Sequence, residues 1–148
     1  MRIARYQGKF NRFRALDGPS RRLLLRAAFE LAIARALLAT VPFGKLAARL
    51  ETADTLLPSN PDPEFLSSIG RAITTAAYHV PWRSDCLPQT IAASRLLSAY
   101  GYRSTIHLGV ERTDDKRIAG HAWLSCGETV VVGEPSPGRY TEIHQIMA

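Results

Sequence analysis

The chain predicts an α+β fold, with helices first and an antiparallel sheet after them. Two observations carry that expectation. Up to Gly101, apolar residues recur at helical spacing between breaks marked by proline and glycine. From Thr105 the texture changes to alternation, with Ile106, Leu108 and Val110 on one face and His107, Gly109 and Glu111 on the other. A block of helices followed by a block of strands is the pattern of an α+β domain. With 148 residues, 46% of them apolar and 22% charged, the chain can bury a core and is too apolar for wholesale disorder.

The elements follow in order. Asp17-Gly18-Pro19-Ser20 reads as a turn, with Ser20 as N-cap of a helix over residues 21–40. Arg22, Arg26 and Glu30 form a charged i, i+4 row on that helix, leaving an apolar face from Leu24, Ala28, Leu31 and Leu38. Pro42 ends it, and a short helix follows over 44–51. Pro58, Pro61 and Pro63 mark a connector. It divides a basic N-terminal helical subdomain, residues 1–57, from a core, residues 58–148, unless the two pack as one compact domain. The next helix spans 64–78, with Phe65, Ile69, Ile73 and Ala76 on one side, and Pro81 closes it. Another runs from 86 or 87 to 100, with Pro88 in its first turn and Gly101 as its stop. Strands are expected over 105–112, 119–126 and 128–133, with a charged turn over 113–117 and a tight turn at Gly127. A short strand or turn lies around 140–146.

The net charge of +6 is unevenly spread. Residues 1–50 carry +9 and residues 51–148 carry −3. A basic end of this kind either is a solvated helical face or meets something negative, and Arg22 and Arg26 are the candidate partner contacts. Nucleic acid is the weaker choice of partner, because the region has apolar helices without interleaved aromatics or a sequence-reading motif. No apolar run is long enough for a membrane span. The basic stretch 1–14 is not followed by an apolar segment and a small-residue cleavage site, so the expected compartment is the cytoplasm. Two cysteines cannot build a disulfide framework.

The chemistry concentrates late in the chain. Cys86 stands where a helix begins, and a helix N-terminus has unpaired N–H groups and the positive end of the macrodipole. Both favour a thiolate, and the same N–H groups can hold an oxyanion. The plainer reading is an ordinary buried cysteine. His121 lies on an expected strand, sharing a face with Trp123, and a cysteine nucleophile needs such a base. An edge histidine beside a core tryptophan is the alternative; Trp123 is otherwise a candidate substrate contact. Glu134 returns alongside His121 after the turn at Gly127 and can accept its second ring N–H, though Glu128, Asp114 and Asp115 compete for that role. Trp82 and Arg83, just before Cys86, can line a substrate cleft or aid an oxyanion hole; otherwise they are a capping hydrophobe and a surface charge. His107 is the rival base, and Cys126 has no evident partner. No metal-ligand spacing, phosphate loop or dinucleotide fingerprint is present, so neither a metal nor an organic cofactor is expected.

Cys86-Leu87-Pro88-Gln89 opening a helix, then Ile106-His107-Leu108-Gly109-Val110, then Gly120-His121-Ala122-Trp123-Leu124, resembles the lasso peptide maturation peptidases. These are the leader-removing B proteins of the transglutaminase-like superfamily. The likeness covers about residues 20–146, including the helical part that ends in Val41-Pro42-Phe43. It implies a transglutaminase/papain-like core with the cysteine helix packed on the sheet. It implies a cysteine peptidase that cuts a ribosomally made lasso precursor between leader and core through a thioester. Cys86 would be nucleophile, His121 base, and a carboxylate the third member, with Glu134 standing where Asp is more usual. The family's small leader-recognition element is not evident here, so a separate leader-recognition protein is the implied partner. A separate ATP-dependent macrocyclase would act next. The rivals are a transglutaminase-like acyltransferase acting on an amine and a non-catalytic adaptor that holds the precursor.

Overall fold

The computed structural model describes residues 13–51, 61–112, 117–135 and 138–148. Among the described residues, the helices α1 (Gly18–Thr40), α2 (Phe43–Leu50), α3 (Pro63–His79) and α4 (Cys86–Ala99) precede the strands. The strands are β1 (Thr105–Arg112), β2 (Ile118–Cys126), β3 (Thr129–Val132) and β4 (Thr141–Met147). They form one antiparallel sheet in the order β3-β2-β1-β4. The α+β class expected from the periodicities is the one observed. The middle of the connector, residues 52–60, lies outside the described residues, as does the charged turn at 113–116 with Asp114 and Asp115. No helix among the described residues is long and apolar enough to cross a membrane.

One core takes side chains from every element. Ala27, Leu31 and Ala34 of α1 and Leu46 and Leu50 of α2 join Ile69 and Ile73 of α3 and Ile91, Leu96 and Leu97 of α4. Each strand adds a residue: Ile106, Leu124, Val132 and Ile146. α4 is the hub. Its buried residues run consecutively from Thr90 to Ser94 and so cover the helix on all sides, as expected of a helix enclosed by its neighbours. α3 lies so close to β3 that a Cβ on Gly70 would collide with the Val131 carbonyl, which only glycine avoids.

Two details of α1 differ from the sequence reading. The N-cap is Asp17, whose carboxylate accepts from the Ser20 N–H at 3.4 Å. Ser20 is already the third helical residue, because Gly18 and Pro19 take up the first turn, where a proline loses no hydrogen bond. Glu30 leaves the solvent-facing charged row and is buried, its carboxylate accepting from Arg95 Nε of α4 at 2.9 Å. The buried stripe is rotated accordingly, and Leu25 and Phe29 are exposed.

Candidate active site

α4 begins at Cys86 without a side-chain cap. The contrast with the other long helices is local. Asp17 caps α1 and Asp62 caps α3 through its carboxylate and the Glu64 N–H. Asp85 holds the equivalent position before α4, but its carboxylate pairs with Arg83 at 3.2 Å instead, both side chains being exposed. The first-turn N–H groups at Cys86 and Leu87 therefore have no carboxylate on them, and the first turn holds no acid. Cys86 itself is half-buried, with a free thiol. Just upstream, Trp82 Nε1 and Ser84 Oγ are buried without a hydrogen-bond partner among the described residues. Unpaired buried polar groups are rare and costly, and each calls for an explanation.

After α4 the chain folds straight back along it. Gly101 takes a φ of +83°, which glycine adopts without strain. The Tyr102 N–H then donates to the Leu97 carbonyl at 3.1 Å, and Ser104 Oγ donates to Ser94 Oγ at 3.1 Å. β1 thus starts beside Ser94 and runs toward the beginning of the helix. Cys86 lies roughly 12 Å up the helix from Ser94 at 1.5 Å per residue. The strand covers that distance in roughly four residues at 3.3 Å each. On those rises alone the start of the helix comes about level with Leu108, whose partner on β2 is Ala122, the neighbour of His121. His121 itself pairs with Gly109, near the middle of the β1–β2 ladder.

Ala122, Leu124 and Cys126 are buried on the side where the helices pack, so alternation directs His121, Trp123 and Ser125 to the other face. β3 pairs only with Leu124 to Cys126 and ends at Val132, so the edge of β2 beside His121 carries no strand. Gly133, at a φ of +75°, lies along that edge, and its carbonyl accepts from His121 Nε2 at 2.7 Å. A carbonyl can only accept, so Nε2 carries the proton and Nδ1 of the neutral ring is left with its lone pair.

The remaining candidates take clear positions. Glu134 follows Gly133 and is exposed, and its carboxylate makes no hydrogen bond to the described residues. Trp123 is only 9% exposed, its ring stacked between those of His107 and His121. Arg83 is exposed in its pair with Asp85. Arg22 and Arg26 are exposed on α1, far along the chain from Cys86. Glu128 is exposed in the β2–β3 turn. His107 has both nitrogens engaged: Nδ1 donates to Glu142 at 2.7 Å, and Nε2 bonds Ser125 Oγ at 2.8 Å. Cys126 is buried, donates to the Arg103 carbonyl at 3.2 Å, and burial pushes its thiol up from the ordinary range. Sequence reasoning passed over Tyr140, whose ring stacks on His121 with centroids 4.7 Å apart. A lone tyrosine after Pro135, Pro137 and Gly138 gives no periodic signal.

A family model described as the transglutaminase-like superfamily matches residues 22–147, from α1 to the end of β4. No curated protein and no solved structure matches the chain.

Proposed function

The chain belongs to the transglutaminase-like superfamily, typically cysteine-dependent hydrolases and acyltransferases, and from that premise we propose that it is a cysteine peptidase removing the leader from a lasso peptide precursor. The observation that carries the chemistry is the uncapped start of α4 at Cys86; the base we assign to it is His121, whose Nε2 donates to the Gly133 carbonyl and leaves Nδ1 with its lone pair. The finer assignment, to lasso precursors, rests on the CLP and HAW segments and their spacing.

In this mechanism His121 Nδ1 takes the thiol proton, and Sγ of Cys86 attacks the scissile carbonyl. The first-turn N–H groups of α4 hold the developing oxyanion, where the helix dipole also favours negative charge. His121 then protonates the leaving amine, and water hydrolyses the thioester. For this step ring and thiol would have to meet past the strand-free edge of β2, since alternation puts His121 on the sheet face away from α4. Such contacts commonly tighten only when substrate binds. Glu134, one residue past the carbonyl that holds Nε2, is the proposed third member. A separate leader-recognition protein delivers the precursor, and a separate ATP-dependent cyclase closes the ring afterwards.

The test is cleavage of a precursor read by mass spectrometry. Cys86→Ala is expected to lose at least about 10³-fold in rate, with its thermal melting temperature unchanged. Cys126→Ala keeps cleaving. Full activity in Cys86→Ala would remove the basis of the assignment.

A further inference from the structure

The sheet face opposite the helices carries a row of stacked rings. His107 lies on Trp123 with centroids 5.2 Å apart and planes 3° from parallel. Trp123 stacks on His121 at 6.0 Å, and His121 on Tyr140 at 4.7 Å, with interplanar angles of 22° and 25°. The Arg139 guanidinium lies over the Tyr140 ring, 5.7 Å from its centroid. Both ends are anchored by carboxylates. Glu142 accepts from His107 and also from Gln145 Nε2 at 2.6 Å, while Arg139 Nε donates to Glu111 at 2.8 Å. The row closes over Gly109. A Cβ there would approach a Trp123 ring carbon to 2.8 Å and Tyr140 Cβ to 3.2 Å, so a larger residue would push the rings apart.

The Ser125–His107–Glu142 chain has the hydrogen bonds of a nucleophile, base and orienting acid. It sits mid-sheet, however, where ladder pairing occupies the backbone N–H groups that would have to hold an oxyanion. Its place in the row gives it another task, that of anchoring one end.

We propose that Tyr140 and Trp123 are positioning residues that clamp the His121 ring between them, so that with Nε2 on the Gly133 carbonyl the Nδ1 atom has one fixed direction. This rests on the Cys86–His121 reading above. A hydrogen bond through Nε2 alone leaves the imidazole free to rock about that bond. Ring planes on both sides remove the rocking, and misplacement of a catalytic group by about 1 Å can cost 10²-fold. The phenol hydroxyl has no part in this, so a phenylalanine serves as well as a tyrosine. The charged or titratable groups along the row are Tyr140, Arg139 behind it with Glu111, and His107 with Glu142 beyond Trp123, while Glu134 follows Gly133 in the chain.

The test is the rate at which iodoacetamide alkylates Cys86 between pH 5 and pH 9, read peptide by peptide. Cys126 in the same digest reports whether each variant stays folded, since it is 1% exposed and must unfold to react. Wild type is expected to show a fast reaction at pH 6 that His121→Ala removes. Tyr140→Phe stays within about twofold of wild type. Tyr140→Ala reacts at least about tenfold more slowly at pH 6 and converges on wild type toward pH 9, where a thiol ionises without help. If Tyr140→Ala exposes Cys126, Tyr140→Leu fills the space without a ring and carries the same expectation. A folded ring-less variant with the wild-type profile overturns the clamp and leaves the Cys86–His121 pair standing. A wild-type profile in His121→Ala overturns the pair, and the clamp with it.

Discussion

At the scale of single residues, His121 and Glu134 differ in what their loss removes. His121 supplies the nitrogen proposed to take the Cys86 proton. His107 is no substitute, because both its nitrogens are committed to Glu142 and Ser125. Glu134, in contrast, is only the proposed third member: its carboxylate makes no hydrogen bond to the described residues, and the carbonyl of Gly133 holds Nε2. His121→Ala is therefore expected to slow precursor cleavage about as much as Cys86→Ala, by 10³-fold or more, and Glu134→Ala by about tenfold or less. Steady-state cleavage assays on the three variants check the ranking. Wild-type turnover in Glu134→Ala together with a loss in Glu128→Ala would move the third role to the β2–β3 turn.

At the scale of elements, α1 separates its charges by task. Glu30 is turned inward, while Arg22 and Arg26 are exposed. Arg26 also lines a cleft of about 360 Å³ with Arg49, Glu30 and Arg95. Three guanidinium groups outnumber the Glu30 carboxylate and that of Ala148, and the cleft lies toward the C-terminal half of α4. On the proposed reading this is where a leader-bound recognition protein docks. Charges on an exposed rim act mainly on association rate and are screened by salt, with a screening length near 10 Å at 0.1 M. Arg22→Glu with Arg26→Glu is thus expected to slow cleavage of a precursor presented by its partner several-fold at low salt. The deficit shrinks as salt rises. A short peptide spanning the cut site, compared in the same assay, is expected to lose nothing; equal losses on both substrates would return α1 to a purely structural role.

At the scale of the whole molecule, the basic helices and the catalytic part share one interior. α1 packs on both α3 and α4, and the Glu30–Arg95 pair joins α1 to the helix that begins at Cys86. The Glu30 side chain is 7% exposed and that of Arg95 35%, so only one charge is fully withdrawn from water. Removing the carboxylate leaves a half-buried guanidinium unpaired. Glu30→Leu is expected to cost about 2–3 kcal/mol in urea unfolding, and the double change Glu30→Leu, Arg95→Leu less than the single one. A double variant no more stable than Glu30→Leu would mean that shape at this position matters more than charge.

Much of this architecture was legible in the residues, because local chemistry decides it. Pro88 and Gly101 bracket α4, the alternation from Thr105 yields β1 with the bounds expected, and Gly127 turns β2 into β3, all through backbone preferences that act within a few residues. The same local logic put Cys86 at a helix start and His121 on a strand beside Trp123. It could not decide which way α1 turns, because its apolar band is wide and the partner of the buried Glu30 is Arg95, 65 residues away. Nor could it assign His121 its partners. The Gly133 carbonyl reaches Nε2 only because β3 ends early, and Tyr140 meets the ring only because β4 pairs with β1 across a register shift. Hydrogen bonds and ring contacts between distant segments depend on register and strand length. Those are settled by the packing of the whole sheet, which short-range pattern does not encode.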